Sequence, residues 1–279
     1  MPAAISWRFS STVGAAIYAN GTGEYKNGQG DKTSELTRSG LEGLIAHQFE
    51  EITVEYSNTL EFKEIQKDLS TDEESTYKSK FDRLNLAYRF SDSASIGAVY
   101  RTWKKESDYT NTIGREYETG AGEKTALGFG GSIRLLDFFF LAAGVEEITH
   151  QQNGFDENKW MDQMLGLGLL GEGVFRLEVA KIVSPESDTT GAVPHAATDD
   201  VIMSVEIKLA ATWLLRYQKE EYVVKPIGTG NDVKYEYTTI GVGFVPDEGL
   251  VFGIAMINGK QDENFSSTDY RLSMGWNYW

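Results

Sequence analysis

The stretch Tyr270-Arg-Leu-Ser-Met-Gly-Trp-Asn-Tyr-Trp279 decides the fold. Tyr270, Leu272, Met274, Trp276 and Tyr278 are large and apolar or aromatic, whereas Arg271, Ser273, Gly275 and Asn277 between them are charged, small or polar. A two-residue period sends the first set to one face of a β-strand and the second to the other. The sequence then ends on an aromatic residue. A closed transmembrane barrel is expected to end this way, because its last strand pairs with its first and turns an apolar face to lipid.

The same period recurs upstream. In Ile52-Thr-Val-Glu-Tyr-Ser-Asn-Thr-Leu-Glu-Phe62, Ile52, Val54, Tyr56, Leu60 and Phe62 fall on one face, with Thr53, Glu55, Ser57, Thr59 and Glu61 on the other. A helix would scatter both sets around its circumference. Strands are expected at about 5–20, 34–47, 51–65, 77–90, 95–105, 123–135, 138–149, 160–170, 174–183, 200–209, 212–224, 233–245, 250–260 and 265–279. Six short connections (48–50, 91–94, 136–137, 171–173, 210–211 and 246–249) alternate with seven longer polar ones. The longer ones are 21–33, 66–76, 106–122, 150–159, 184–199, 226–232 and 261–264. The expected fold is therefore all-β. It is a single domain over 1–279, an antiparallel up-and-down transmembrane barrel of about fourteen strands (twelve being the alternative), with both ends on the short-turn side.

Composition agrees. No run of about 18 apolar residues exists, so no transmembrane helix is expected. Hydrophobic residues make up 41% of the 279, a fraction that suits a wall of which only alternate residues meet lipid. Glycine is frequent (29) and proline rare (5). The absence of cysteine excludes disulfides and thiolate metal sites. A net charge of −16 argues against nucleic-acid binding, which needs a basic face. Met1-Pro2-Ala3-Ala4 has neither a charged nor an apolar signal region, and reads as an initiator Met on a mature chain.

The apolar sets assign the outer face: Trp7, Phe9, Val13 and Ile17; Leu84, Leu86, Tyr88 and Phe90; Leu127, Phe129, Ile133 and Leu135; Leu165, Leu167 and Leu169; Val201 to Leu209 at alternate positions; Trp213, Leu215 and Tyr217; Ile240, Val242 and Phe244. Three to five such residues per strand match an apolar band about 25 Å tall. Trp7, Tyr88, Phe90, Trp160, Trp213, Tyr217, Trp276 and Tyr278 lie near strand ends, where an interfacial aromatic girdle is expected. The inner sets are either small, such as Gly14, Gly128, Gly130, Gly166 and Gly168, or charged. Arg or Lys on the lipid face near mid-membrane costs about 2–4 kcal/mol, and facing a wet lumen costs little. The competing reading, a soluble β-sandwich, would need about fourteen strands to enclose a very wide apolar core, and would leave the glycines on an exposed face.

On the Tyr270–Trp279 strand and the hairpins 84–100 and 240–253, the chain resembles the Gram-negative outer-membrane β-barrel class. In size it is similar to the monomeric fourteen-stranded porins of the OmpG type. In its Arg89-Phe-Ser-Asp-Ser-Ala-Ser-Ile-Gly-Ala98 hairpin it resembles the FadL family of hydrophobic-compound transporters, though it is too short to hold that family's N-terminal hatch as well as fourteen strands. It departs from the usual assembly signal in that Trp279 is out of phase with the alternation running from Tyr278. The resemblance implies an outer-membrane location, contact with membrane lipids and lipopolysaccharide, a monomer, small solutes as cargo and no cofactor.

Candidate sites follow from the inner face. Arg8, Glu55, Arg89, Arg101, Arg134, Glu146, Arg176, Glu178 and Arg271 are expected to line the lumen, chiefly as a charged belt stiffening the wall and secondarily as a selectivity element. His47 and His150 belong at opposite rims, and His195 in a long loop. A nucleophilic Ser–His pair has no serine at same-face spacing from His150, with Ser184 and Ser187 in a later loop. His150, Asp156, Glu157 and Asp162 form the only candidate for an aspartyl-type protease site, and a solvated acidic loop is preferred there. Asp68, Asp72, Glu73 and Glu74 lack the spacing of a calcium loop. No catalytic or metal site is therefore assigned, and no enzyme. The preferred function is a channel passing small solutes by diffusion, with loops 106–122 and 184–199 folding over its mouth. The alternatives are a FadL-like transporter of apolar compounds with a closed lumen and a lateral exit, or a narrow structural or adhesive barrel.

Overall fold

In the computed structural model, residues 11–27, 29–110, 116–136, 138–171, 174–187, 189–228, 230–262 and 264–278 are described. They hold fourteen strands and no helix. The strands are β1 (Ser11–Lys26), β2 (Lys32–Phe49), β3 (Ile52–Asp68), β4 (Glu74–Ser91), β5 (Ala94–Thr110), β6 (Glu116–Leu135) and β7 (Phe139–Gln152). They continue with β8 (Asn158–Gly171), β9 (Phe175–Ser184), β10 (Ala197–Lys208), β11 (Trp213–Lys225), β12 (Val233–Phe244), β13 (Gly249–Gln261) and β14 (Phe265–Tyr278). Each strand pairs antiparallel with its neighbours in sequence, and β14 closes onto β1 with Ser11 opposite Tyr278. Closure removes the free edges that lipid would not tolerate.

The faces are inside-out relative to a soluble protein. Phe129, Leu165 and Met274 are 57%, 63% and 66% exposed, as are most of the alternate apolar residues assigned to the outside. Tyr88, Phe90, Trp213, Tyr217 and Trp276 are all exposed, and Tyr278 stacks with His47. Trp7 and Arg8 lie outside the described residues. The buried residues are mostly small or polar inward-facing groups, among them Ser57, Thr53, Asn85 and Glu55.

The strand ends differ from expectation on the long-loop side. Six strands, β1 to β6, run 16 to 20 residues, against 10 to 14 for β7 to β14. Most of what reads as loop at 21–33, 66–76 and 106–122 is paired strand, leaving tips at 27–31, 69–73 and 111–115, the last outside the described residues. Apolar alternation stops where the wall leaves lipid, but backbone pairing continues. Asp68 shapes one tip: its Oδ1 accepts from the Ser70 amide (2.7 Å) and the Thr71 amide (3.0 Å), a turn-capping role that leaves the acidic run without a ligand-like arrangement.

A second correction concerns Phe62. Both ladders of β3 pass over Leu60, which shifts register between Leu41 and Glu42 on one side and between Thr59 and Phe62 on the other. This bulge reverses the faces beyond it, because side chains alternate with a period of two. Phe62 therefore turns inward, edge-on to Tyr18 at 5.9 Å.

The inward small residues serve a specific geometry. Charged residues on two strands reach each other across the strand between them where that strand carries Gly or Ala. Arg38 of β2 meets Asp269 of β14 at 3.2 Å over β1, where a Cβ on Gly21 would lie 1.8 Å from the Asp269 carboxylate. Arg271 of β14 meets Glu42 of β2 at 2.6 Å over the same strand, past buried Ala16. These two pairs clamp the seam. Within the seam, Gly14 faces Gly275, whose Cβ would lie 2.6 Å from the Val13 carbonyl oxygen. Gly275→Val is expected to cost about 1–3 kcal/mol or more through this backbone clash. Loss of the folded, heat-modifiable band on semi-native gels, or a lowered urea midpoint in micelles, checks it.

Candidate functional site

Glu55 (2% exposed) accepts from Arg83 Nη2 and Asn85 Nδ2, both at 2.9 Å. Glu146 (1% exposed) accepts from Arg101 Nε at 2.5 Å, reaching from β7 across β6 past Gly128 and Ala126 to β5. Arg176 bonds Glu178 at 2.8 Å, and Arg271 bonds Glu42. Arg89 and Arg134 sit on inward-facing positions of β4 and β6, in register with Ser95 and Phe140. Glu55, Arg101, Glu146, Arg176, Glu178 and Arg271 thus stand in separate ion pairs.

Above the Glu55–Arg83 and Glu146–Arg101 pairs lies a cavity of about 880 Å³. Its walls carry Tyr77, Trp103, Trp160 and Tyr222, together with Val99, Ile148, Met164 and Ile182. Trp160, expected in the outer girdle, is instead 7% exposed and faces the lumen with Ala126 and Ile148. The cause is parity. Met161, Leu165 and Leu167 face outward, so the even-numbered Trp160, Asp162, Met164, Gly166 and Gly168 face inward.

Loop 185–196, between β9 and β10, folds back over the start of β8. Asn158 (1% exposed) holds it: Nδ2 donates to the carbonyls of Ser187 (3.1 Å) and Val193 (2.9 Å), and Oδ1 accepts from Ser187 Oγ (2.6 Å) and Thr189 Oγ1 (3.0 Å). The Asp156 amide adds a bond to the Gly191 carbonyl at 2.9 Å. This fixation sets His195 into the lumen, stacked on Trp160 at 3.9 Å and 8°. Burial, reinforced by Lys124 and His150, lowers its pKa to about 4, so the imidazole is neutral at pH 7.

His195 Nε2 lies 2.8 Å from Ser184 Oγ, and Ser184 also hydrogen-bonds Asp162. This Ser–His contact was not legible in the sequence, since it joins the end of β9 to a loop residue eleven positions on. Its wiring is not that of an activated nucleophile. The carboxylate takes the single hydroxyl proton, so Nε2–H must donate to Oγ, whereas a catalytic base needs Nε2 free and the acid on Nδ1. The protease grouping does not assemble either. Asp162 is on Ser184, Glu157 pairs with Lys159 at 2.9 Å, and Asp156 is tied through its backbone to the loop. Among the described residues no cluster of metal-binding side chains occurs.

No protein-family model and no curated protein sequence matches the chain. Solved structures do. The chain is similar to the toluene transporter TodX of P. putida (12% identity, TM-score 0.65, covering 99% of this chain and 92% of that one). It is also similar to the monoaromatic hydrocarbon channel CymD (10%, 0.67, 99% and 90%) and to a FadL homologue of Pseudomonas aeruginosa (10%, 0.66, 99% and 92%). The molecule is thus a closed fourteen-stranded barrel with the fold of the FadL-type outer-membrane transporters.

Proposed function

We propose that this chain is an integral outer-membrane barrel that transports small molecules with an apolar or aromatic body, rather than an open diffusion channel. The observation that carries the reading is the cavity itself. Four aromatic and four aliphatic side chains share its wall with polar and charged ones, ion pairs bound its lower end, and a pinned loop sets His195 into it. Its volume falls in the range of sites for small organic molecules, about 300–1,000 Å³, which combine aromatic and apolar surface with placed polar groups. The exposed apolar belt supports the membrane setting, and the neighbours' descriptions as toluene and monoaromatic hydrocarbon carriers support the class of cargo.

Influx of labelled toluene and benzoate into Gram-negative cells, with and without the protein, tests the proposal alongside planar-bilayer conductance. Protein-dependent influx with weak ion conductance is expected. Large, unselective conductance with no gain in influx of either compound would return the barrel to the simple channel reading.

A further inference from the structure

The cavity's charges are unevenly partnered. Glu55 and Glu146 each hold an arginine, Lys104 stands 3.7 Å from Glu123, and Asp162 bonds Ser184 while its charge also acts on Lys124. Two lining ammonium groups remain. Lys105 Nζ stands 4.8 Å from the centre of the Tyr77 ring, and Lys124 Nζ 5.4 Å from that of Trp160. Among the described residues neither forms an ion pair or a hydrogen bond. They sit on adjacent strands, Lys105 opposite Gly122 and Lys124 opposite Trp103, which makes them diagonal neighbours on one face. Like charges so placed repel, and long side chains at diagonal positions reach a common point. A Cβ at Gly122 would be in ordinary contact, at 3.7 Å, with the Gln151 carbonyl oxygen and His150 Nε2, so His150 borders the space between the two lysines. Asp200 has a buried carboxylate oxygen without a partner, but it lies on β10, four strands further round the wall.

We propose that the cavity binds small aromatic carboxylates, with the carboxylate between Lys105 and Lys124 and the ring against Trp103 and Trp160. The inference rests on the transporter reading and narrows its cargo. The two ammonium groups supply charge-assisted hydrogen bonds that a neutral arene cannot use.

Calorimetry on the purified, folded barrel in zwitterionic micelles tests this with four probes of similar size: benzoate, benzyl alcohol, benzylamine and hexanoate. Benzoate is expected to bind about tenfold or more tightly than benzyl alcohol, as a charged hydrogen bond implies, with benzylamine weakest and hexanoate weaker than benzoate. The K105Q/K124Q variant is expected to remove the preference for benzoate over benzyl alcohol while keeping the folded, heat-modifiable band on semi-native gels, which shows that the variant is folded. Benzyl alcohol matching benzoate in the parent protein, or an unchanged preference in the variant, overturns the carboxylate site and leaves the transporter reading standing. Hexanoate matching benzoate overturns the aromatic part. Binding of none of the four overturns the site and its parent reading together.

Discussion

Arg101→Ala is expected to destabilise the barrel by about 3–5 kcal/mol, because it strands a buried carboxylate. Glu146 is 1% exposed and its charge is answered by Arg101, which reaches it across the small residues of β6. Arg101 also lies over Trp103, 4.8 Å from its centre, so the substitution removes packing as well as charge. The double variant R101A/E146A is expected to recover most of the loss, since it removes the stranded charge along with its partner. Urea unfolding in micelles, followed by tryptophan fluorescence, gives all three values. A single variant as stable as the parent would mean that Glu146 finds another partner or sits in water.

Asn158→Ala is expected to free loop 185–196 without unfolding the barrel. Four hydrogen bonds to the loop vanish, each worth about 1 kcal/mol net, so the attached form loses up to about 4 kcal/mol. His195 then leaves Trp160. The readouts are new protease cleavage within 185–196 and faster influx of cargo. Acid acts in the same direction. The attached imidazole has its pKa lowered from 6.5 to about 4, and a released one regains the ordinary value. Attachment is therefore fully favoured above about pH 6.5 and weakens as pH falls towards about 4. Protection of the loop from protease should follow that course in the parent and be absent at every pH in the variant.

The barrel was legible because lipid and lumen enforce opposite chemistries on alternate residues. Leu84, Leu86, Tyr88 and Phe90 against Arg83, Asn85, Ala87 and Arg89 admit only one orientation of the strand. The same signal fails above the membrane, where both faces meet water. Gln66, Lys67, Asp68, Glu74, Ser75 and Thr76 lie within β3 and β4, yet look like loop by composition. It fails again at Leu60, where one extra residue inverts the faces and no residue type announces the change. Trp160 is a different case. Its even number matches Gly166 and Gly168, so parity places it in the lumen, against the interfacial position that an aromatic at a strand end suggests. The cavity itself was beyond periodicity. Asn158, Ser184 and His195 come together through a loop whose path depends on four side-chain hydrogen bonds, and nothing in their spacing records that.

The strands from β1 to β6 are on average about five residues longer than the rest, roughly 16 Å along the strand. All share one base at the short turns, so the barrel's outer lip is not level but slopes like a bevelled tube. The low sill lies along β7 to β14, where loop 185–196 is rooted. Loop 185–196, with His195, thus stands on the low side of the rim, and the longer polar strands β1 to β6 form its high side.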